Sequence, residues 1–194
     1  MSFLIVNYWA EAQTFSDKAL TQAVLQLNAS KTANDYDNLF NKFSGAKTSE
    51  TWQSSYYAAV ALYLKNETLL KKSAGASLMD DNALARKIAA GAWTVQRDNA
   101  EINILLGLLY VQKIQIDSSQ SSQPDQDIIS QSIAKAEANS VNNPRLAVLQ
   151  AKIKEKSGDK SNADILYRKA LSEFSNPSSD SKSPTWGKQL IPFQ

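Results

Sequence analysis

Apolar residues recur at spacings of three and four along nearly the whole chain, and no stretch sustains a spacing of two. This periodicity predicts helices near 16–29, 33–44, 50–73, 81–96, 99–117, 125–140, 143–157 and 160–174. Helix-end chemistry falls at the predicted breaks. Gly45, Gly75 and Gly158 are suited to the left-handed backbone that stops a helix. Asp81, Asn143 and Ser161 are expected N-caps, and Pro144 follows Asn143 where a first-turn proline belongs. The segment Ser118 to Pro124 is poor in apolar residues and reads as a loop. Residues 175–194 read as a tail that opens on Ser, Asn, Asp and Pro and returns to the body through Trp186 and Ile191.

Eight helices taken in pairs give four helical hairpins, an arrangement that implies an internal period of about 34 residues. Gly158, Ala163, Tyr167, Ala170 and Leu171 have the spacing of a tetratricopeptide second helix, in which small residues let two helices approach and the tyrosine fills the hole between them. One repeat earlier, Ala136 occupies the equivalent small position. Leu106, Gly107 and Tyr110 match a first helix, and Ala85, Ala89 and Ala92 supply the small face of the helix before it. The expected fold class is therefore all-α, a tetratricopeptide-like superhelix of about four hairpins in one domain over residues 13–174.

Composition changes this picture mainly by exclusion. The chain has no cysteine and no histidine, which removes disulfides, thiol chemistry, a lipoprotein anchor and the commonest general base and metal ligand. A charge of +2 with both signs interspersed shows no footprint for nucleic acid. No stretch is long and apolar enough to span a bilayer. At the start, Ser2 to Val6 is a short apolar run, and Ala10-Glu11-Ala12 before Gln13 has the small-x-small form that signal peptidase prefers. Residues 1–12 thus read as the remnant of a secretory signal, with the mature chain starting at Gln13 in the periplasm or outside the cell. An ordinary first helix is the alternative.

Asn142-Asn143-Pro144-Arg145, the motif from Gly158 to Leu171, and Pro184-Thr185-Trp186-Gly187-Lys188 together resemble a family of exported tetratricopeptide-like proteins of Gram-negative bacteria. Trp52 followed by Tyr56, Tyr57, Ala58 and Ala59 is similar to that family's second repeat. The resemblance covers most of residues 13–190 and implies fold and export, but no activity. It departs from the family at Lys156-Ser157-Gly158-Asp159, a plain short turn where the family carries a longer glycine-rich insertion.

No catalytic constellation is visible, since serine and cysteine triads need residues that the chain lacks, and no phosphate loop is present. The acid pairs Asp80-Asp81 and Asp125/Asp127 stand at predicted helix starts, where carboxylates stabilise the helix dipole. The chain therefore reads as a non-enzyme without metal or cofactor. Its expected function is a scaffold that holds a peptide or an envelope protein in a concave groove, with a glycan or small-ligand module as the alternative. In tetratricopeptide arrays the first helix of each hairpin lines that groove. Register then nominates Tyr56, Tyr63, Gln112, Arg145, Val148, Lys152 and Glu155 as groove residues. Trp186 is expected to cap the apolar end of the last hairpin around Leu166, Leu171 and Phe174, with a recognition element as the other reading.

Overall fold

A computed structural model of the chain describes residues 15–72, 77–117, 119, 122–140, 142–175 and 184–193. The expected leader 1–12, the cut at Gln13 and the terminator Gly75 lie outside the described residues. Among the described residues there are eight α-helices and no strand: α1 (Lys18–Ala29), α2 (Ala33–Ser44), α3 (Thr51–Lys71), α4 (Leu78–Val95), α5 (Ala100–Ile116), α6 (Gln123–Asn139), α7 (Pro144–Lys156) and α8 (Lys160–Ser175). A 3-10 turn follows at Lys188–Leu190.

Side-chain caps set most of the starts. Asp17, Thr32, Asn99, Ser122 and Asn143 each accept a backbone N–H of the helix they open, satisfying amides that have no partner within the helix. Thr32 with Asp35 and Ser122 with Asp125 form reciprocal capping boxes. Two expected caps are corrected. Asp81 lies inside the first turn of α4, whose N-cap is Ser77, and the Ser77 hydroxyl donates to Asp81 at 3.1 Å. Ser161 lies inside α8, and Asp159 just before that helix accepts the Asn162 N–H at 3.3 Å. Helix α4 starts three residues before its expected place, on Leu78 and Met79, while α8 starts at its expected residue 160, one residue before the expected cap. Of the glycines, Gly158 takes the left-handed backbone at φ +82°. Gly45 does not, since at φ −88° it closes α2 by donating to Asn41 O.

The helices pack as hairpins α1/α2, α3/α4, α5/α6 and α7/α8, and α5 also touches α3 and α7, its neighbours among the first helices. Small residues make the close seams: Ala85, Ala89, Ala92, Ala136, Ala163 and Ala170 are all buried. At Gly107 a Cβ would lie 2.6 Å from Leu149 Cδ2 and 3.4 Å from Ser132 Cβ, so α5 is met closely from α6 and α7. Helices α3 and α5 are buried on nearly every side, from Tyr56 to Leu64 and from Glu101 to Leu109. Phe15, Phe43 and Tyr57 close the first hairpin onto α3 as an aromatic trio, with Phe43 and Tyr57 centroids 5.4 Å apart. Lys65 ties α2 to α4 by pairing with Asp37 at 2.7 Å and Asp81 at 3.0 Å. Among the described residues no helix is long and apolar enough to cross a membrane.

A buried polar face closed by the tail

The register-nominated residues do share a face, but it is not an open groove. Tyr56 and Tyr63 of α3 are 0% exposed, and Gln112 of α5 and Arg145 of α7 are 1% exposed. Val148 is also buried, Lys152 is half-buried and Glu155 is exposed. The exposure expected of Tyr56, Tyr63, Gln112 and Arg145 is thus corrected. The chain's own neighbouring groups and its tail cover them.

Arg145 stands two residues past the cap Asn143, so the start of α7 aims it across α5. Its Nε donates to Glu101 Oε2 at 2.7 Å and its NH2 to Glu101 Oε1 at 2.6 Å, a bidentate pair. Asn143 Nδ2 donates to the same carboxylate. Burial works against the charge on Arg145, but Glu101 outweighs it and holds the guanidinium above its usual value. Tyr56 OH donates to Glu101 Oε2 at 3.1 Å and accepts the Trp186 indole N–H at 2.9 Å. Burial first, then the Glu101 charge, pushes the Tyr56 phenol well above its ordinary value, so it remains a neutral donor. The remaining donor of Arg145, NH1, reaches the carbonyl oxygens of Pro184 and Trp186 in the tail.

A second polar cluster continues along the same face. Gln112 Nε2 donates to Tyr63 O at 3.1 Å and to Glu67 Oε1 at 2.8 Å, while Lys152 pairs with Glu67 Oε2 at 2.7 Å. Asn66 and Asn82 donate to Gln112 Oε1 at 3.4 and 3.1 Å, linking α3, α4, α5 and α7. Burial, with Glu67 beside it, also raises the Tyr63 phenol well above its ordinary value. Glu155 accepts from Tyr167 OH at 3.0 Å, which ties α7 to α8.

Trp186 is 0% exposed and sits between Tyr56 and Tyr63, with centroids 6.4 and 6.3 Å away and the Arg145 guanidinium 5.7 Å from its ring. Its place is therefore corrected: it is an internal anchor across α3 and α7, not a lid on the end of the last hairpin. From the expected end face the tail meets Phe174, whose Cζ would lie 3.2 Å from a Cβ on Gly187. Further along, Gln189 reaches Leu27 O at 3.4 Å and Lys71 reaches Gln189 O at 3.3 Å. Phe193 then stands edge-on to Tyr167. The tail thus bridges the first hairpin to the last helix.

Sequence reasoning missed Glu101, Glu67, Asn66 and Asn82. A usable signal existed for Glu101: Asn99-Ala100-Glu101 and Asn143-Pro144-Arg145 place opposite charges at the same offset in successive first helices. The acid pairs behave as helix-start groups. Asp80 and Asp81 stand in the first turn of α4. Asp125 caps α6 and pairs with Lys113 at 2.7 Å, and Asp127 accepts from Gln123. Among the described residues no three acidic side chains cluster to hold a metal ion. Two pockets open near these clusters, one between α5 and α7 and one against the tail. One of about 340 Å³ is lined by Val111, Ile114, Gln115, Lys152, Glu155 and Lys156. The other, of about 260 Å³, lies between Tyr36, Leu64, Glu67 and Thr68 and the tail residues Gln189 and Leu190.

The fold and this face define an all-helical hairpin array with a polar interior and a tail laid along its first helices. Among solved structures it is similar to the HusA haemophore from Porphyromonas gingivalis, with a TM-score of 0.67 over 92% of this chain and 90% of that one at 20% sequence identity. At that identity the likeness shows the fold. No protein-family model and no curated protein matches the chain.

Proposed function

We propose that the chain is a non-catalytic binding scaffold of the cell envelope that holds an extended peptide against the face of its first helices. One observation carries the reading: this face already holds a peptide, the tail at 184–193, through backbone carbonyls at Arg145 and an aromatic anchor between Tyr56 and Tyr63. The same array leaves an open pocket between α5 and α7, bordered by Gln115, Lys152 and Glu155. The shared fold with a haemophore, which is a binding protein, supports a role without catalysis and a place outside the cytoplasm. So does the resemblance to exported tetratricopeptide-like proteins, together with the expected signal remnant and mature start at Gln13. Selection of a displayed dodecapeptide library on the immobilised chain tests the reading. A consensus should emerge and be lost when Gln115→Trp fills the pocket. No enrichment over an unrelated helical protein would overturn it.

A second reading, binding of a small amphiphilic ligand, is favoured by the chemistry of the 340 Å³ pocket. Val111 and Ile114 provide an apolar lining, and Lys156, Glu155 and the Glu67-paired Lys152 provide a charged rim. Haemin is the natural probe, since the structural neighbour is a haemophore. Saturable binding that Ile114→Glu abolishes would establish this reading, and an unchanged haemin spectrum would remove it.

A further inference from the structure

The tail is recognised by groups that read sequence as well as shape. Pro184 and Trp186 offer carbonyls to a single Arg145 nitrogen, held in place because Glu101 takes the other two donors of that guanidinium. The slot between Tyr56 and Tyr63 takes an aromatic ring, and Tyr56 OH selects one with an N–H. Gly187 has φ +111°, and a Cβ there would lie 3.0 Å from Arg145 Cγ and 3.2 Å from Phe174 Cζ, so backbone and space both demand glycine. Carbonyl, indole and glycine in succession form a recognition code of the kind that binding grooves apply to extended peptides.

We propose that this slot is a docking site for an extended Pro-x-Trp-Gly segment supplied in trans by another protein, and that residues 184–193 are its resident intramolecular ligand. The inference rests on the scaffold reading above and names the partner's chemistry. The tail covers the site in the isolated chain and must leave when a partner segment enters. A segment joined through the eight residues 176–183 competes at an effective concentration on the order of millimolar, so a partner must bind well or arrive already concentrated.

The test uses a fluorescein-labelled decapeptide with the sequence of residues 184–193 and the full-length chain carrying Trp186→Ala, which removes the internal anchor and leaves the slot. Anisotropy should show saturable binding to that variant, at least tenfold tighter than to the wild-type chain, where the resident tail competes. Trp186→Ala or Gly187→Ala within the peptide should each weaken binding at least tenfold. Binding of a scrambled decapeptide with equal affinity would overturn the proposal, as would no binding to a variant that still melts cooperatively. Should the variant not fold, the wild-type chain labelled with 15N serves. Several millimolar unlabelled decapeptide should then shift the Gly187 amide signal from its bound position towards a free one, and an unmoved signal would overturn the proposal. A library consensus that maps to the Gln115 and Lys152 pocket, with the decapeptide inert, would sink this inference and leave the scaffold standing. Failure of both would sink both.

Discussion

Two kinds of contact hold this chain together, and they differ in what they ask of the sequence. Within the hairpins, seams are built from small apolar residues such as Ala85, Ala89 and Ala92 in α4, or Ala163 and Ala170 in α8. Any residue of that size would serve, and the contact has no directional requirement. Across the first helices, contact is made by buried polar groups: Glu101 with Arg145, Glu67 with Gln112 and Lys152, and Tyr56 with the tail. Each of those groups leaves water at a cost that only its own partner offsets. The seams therefore supply generic stability, while the polar face specifies which helix sits against which and where the tail lies. Losing a methyl group from a seam leaves a small void. Losing one member of the face strands a charge.

The comparison breaks first at Arg145. Arg145→Met leaves the Glu101 carboxylate buried without its cation, and chemical denaturation should show a loss of about 3 to 5 kcal/mol. Adding Glu101→Gln should recover a large part of it, and a double variant no better than the single one would mean that the pair is not what holds the face. On the seam side, Ala170→Leu should cost about 1 to 3 kcal/mol by overpacking a fully buried contact between α7 and α8. Thermal melts of that variant within error of the wild type would show that the seam has room.

Alkaline pH separates the two regions without any charge reversal. Tyr56, Tyr57 and Tyr63 have phenols raised above the ordinary value near 10, by burial first and by neighbouring carboxylates second. Because the folded values are raised, the unfolded chain releases these protons first. The stability of the neutral phenols is complete below about pH 10 and is lost as pH rises from there towards the folded values. Removing one such phenol with Tyr57→Phe should lessen the alkaline fall in stability by about 1 kcal/mol between pH 10 and 11, measured by denaturant titration. The smallest effect lies at a helix cap that belongs to neither kind of contact. Thr32→Ala removes half of the capping box of α2 and should cost about 1 kcal/mol, with binding at the polar face untouched.

Much of the architecture was legible from periodicity. Every helix boundary falls within three residues of its expected place, and the alanines named as seam residues are buried. The candidate site was legible in part. Register placed Tyr56, Tyr63, Gln112, Arg145 and Lys152 on one face, and the structure brings them together there, but register says nothing about what covers a face. Glu101 escaped notice because an acid in a first turn already has a local explanation in the helix dipole, so its long-range partner left no separate mark. Asn66 and Asn82 look in sequence like polar residues on the outer face of a helix, yet each is buried and bonds to Gln112.

What the sequence by itself determined is local: which residues are helical, where the ends are capped, and which stripe of each helix is apolar. These follow from the 3.6-residue period and from short-range hydrogen bonds, both of which act within a few residues along the chain. Only the tertiary structure decided that the polar stripe of the first helices is interior, that Arg145 pairs with Glu101 44 residues away, and that Trp186 lands on Tyr56 130 residues away. Those contacts depend on how the hairpins stack and on where a non-periodic segment of about ten residues comes to rest. No local rule encodes either, because burying a charge is favourable only once its partner has been brought to it by the rest of the fold.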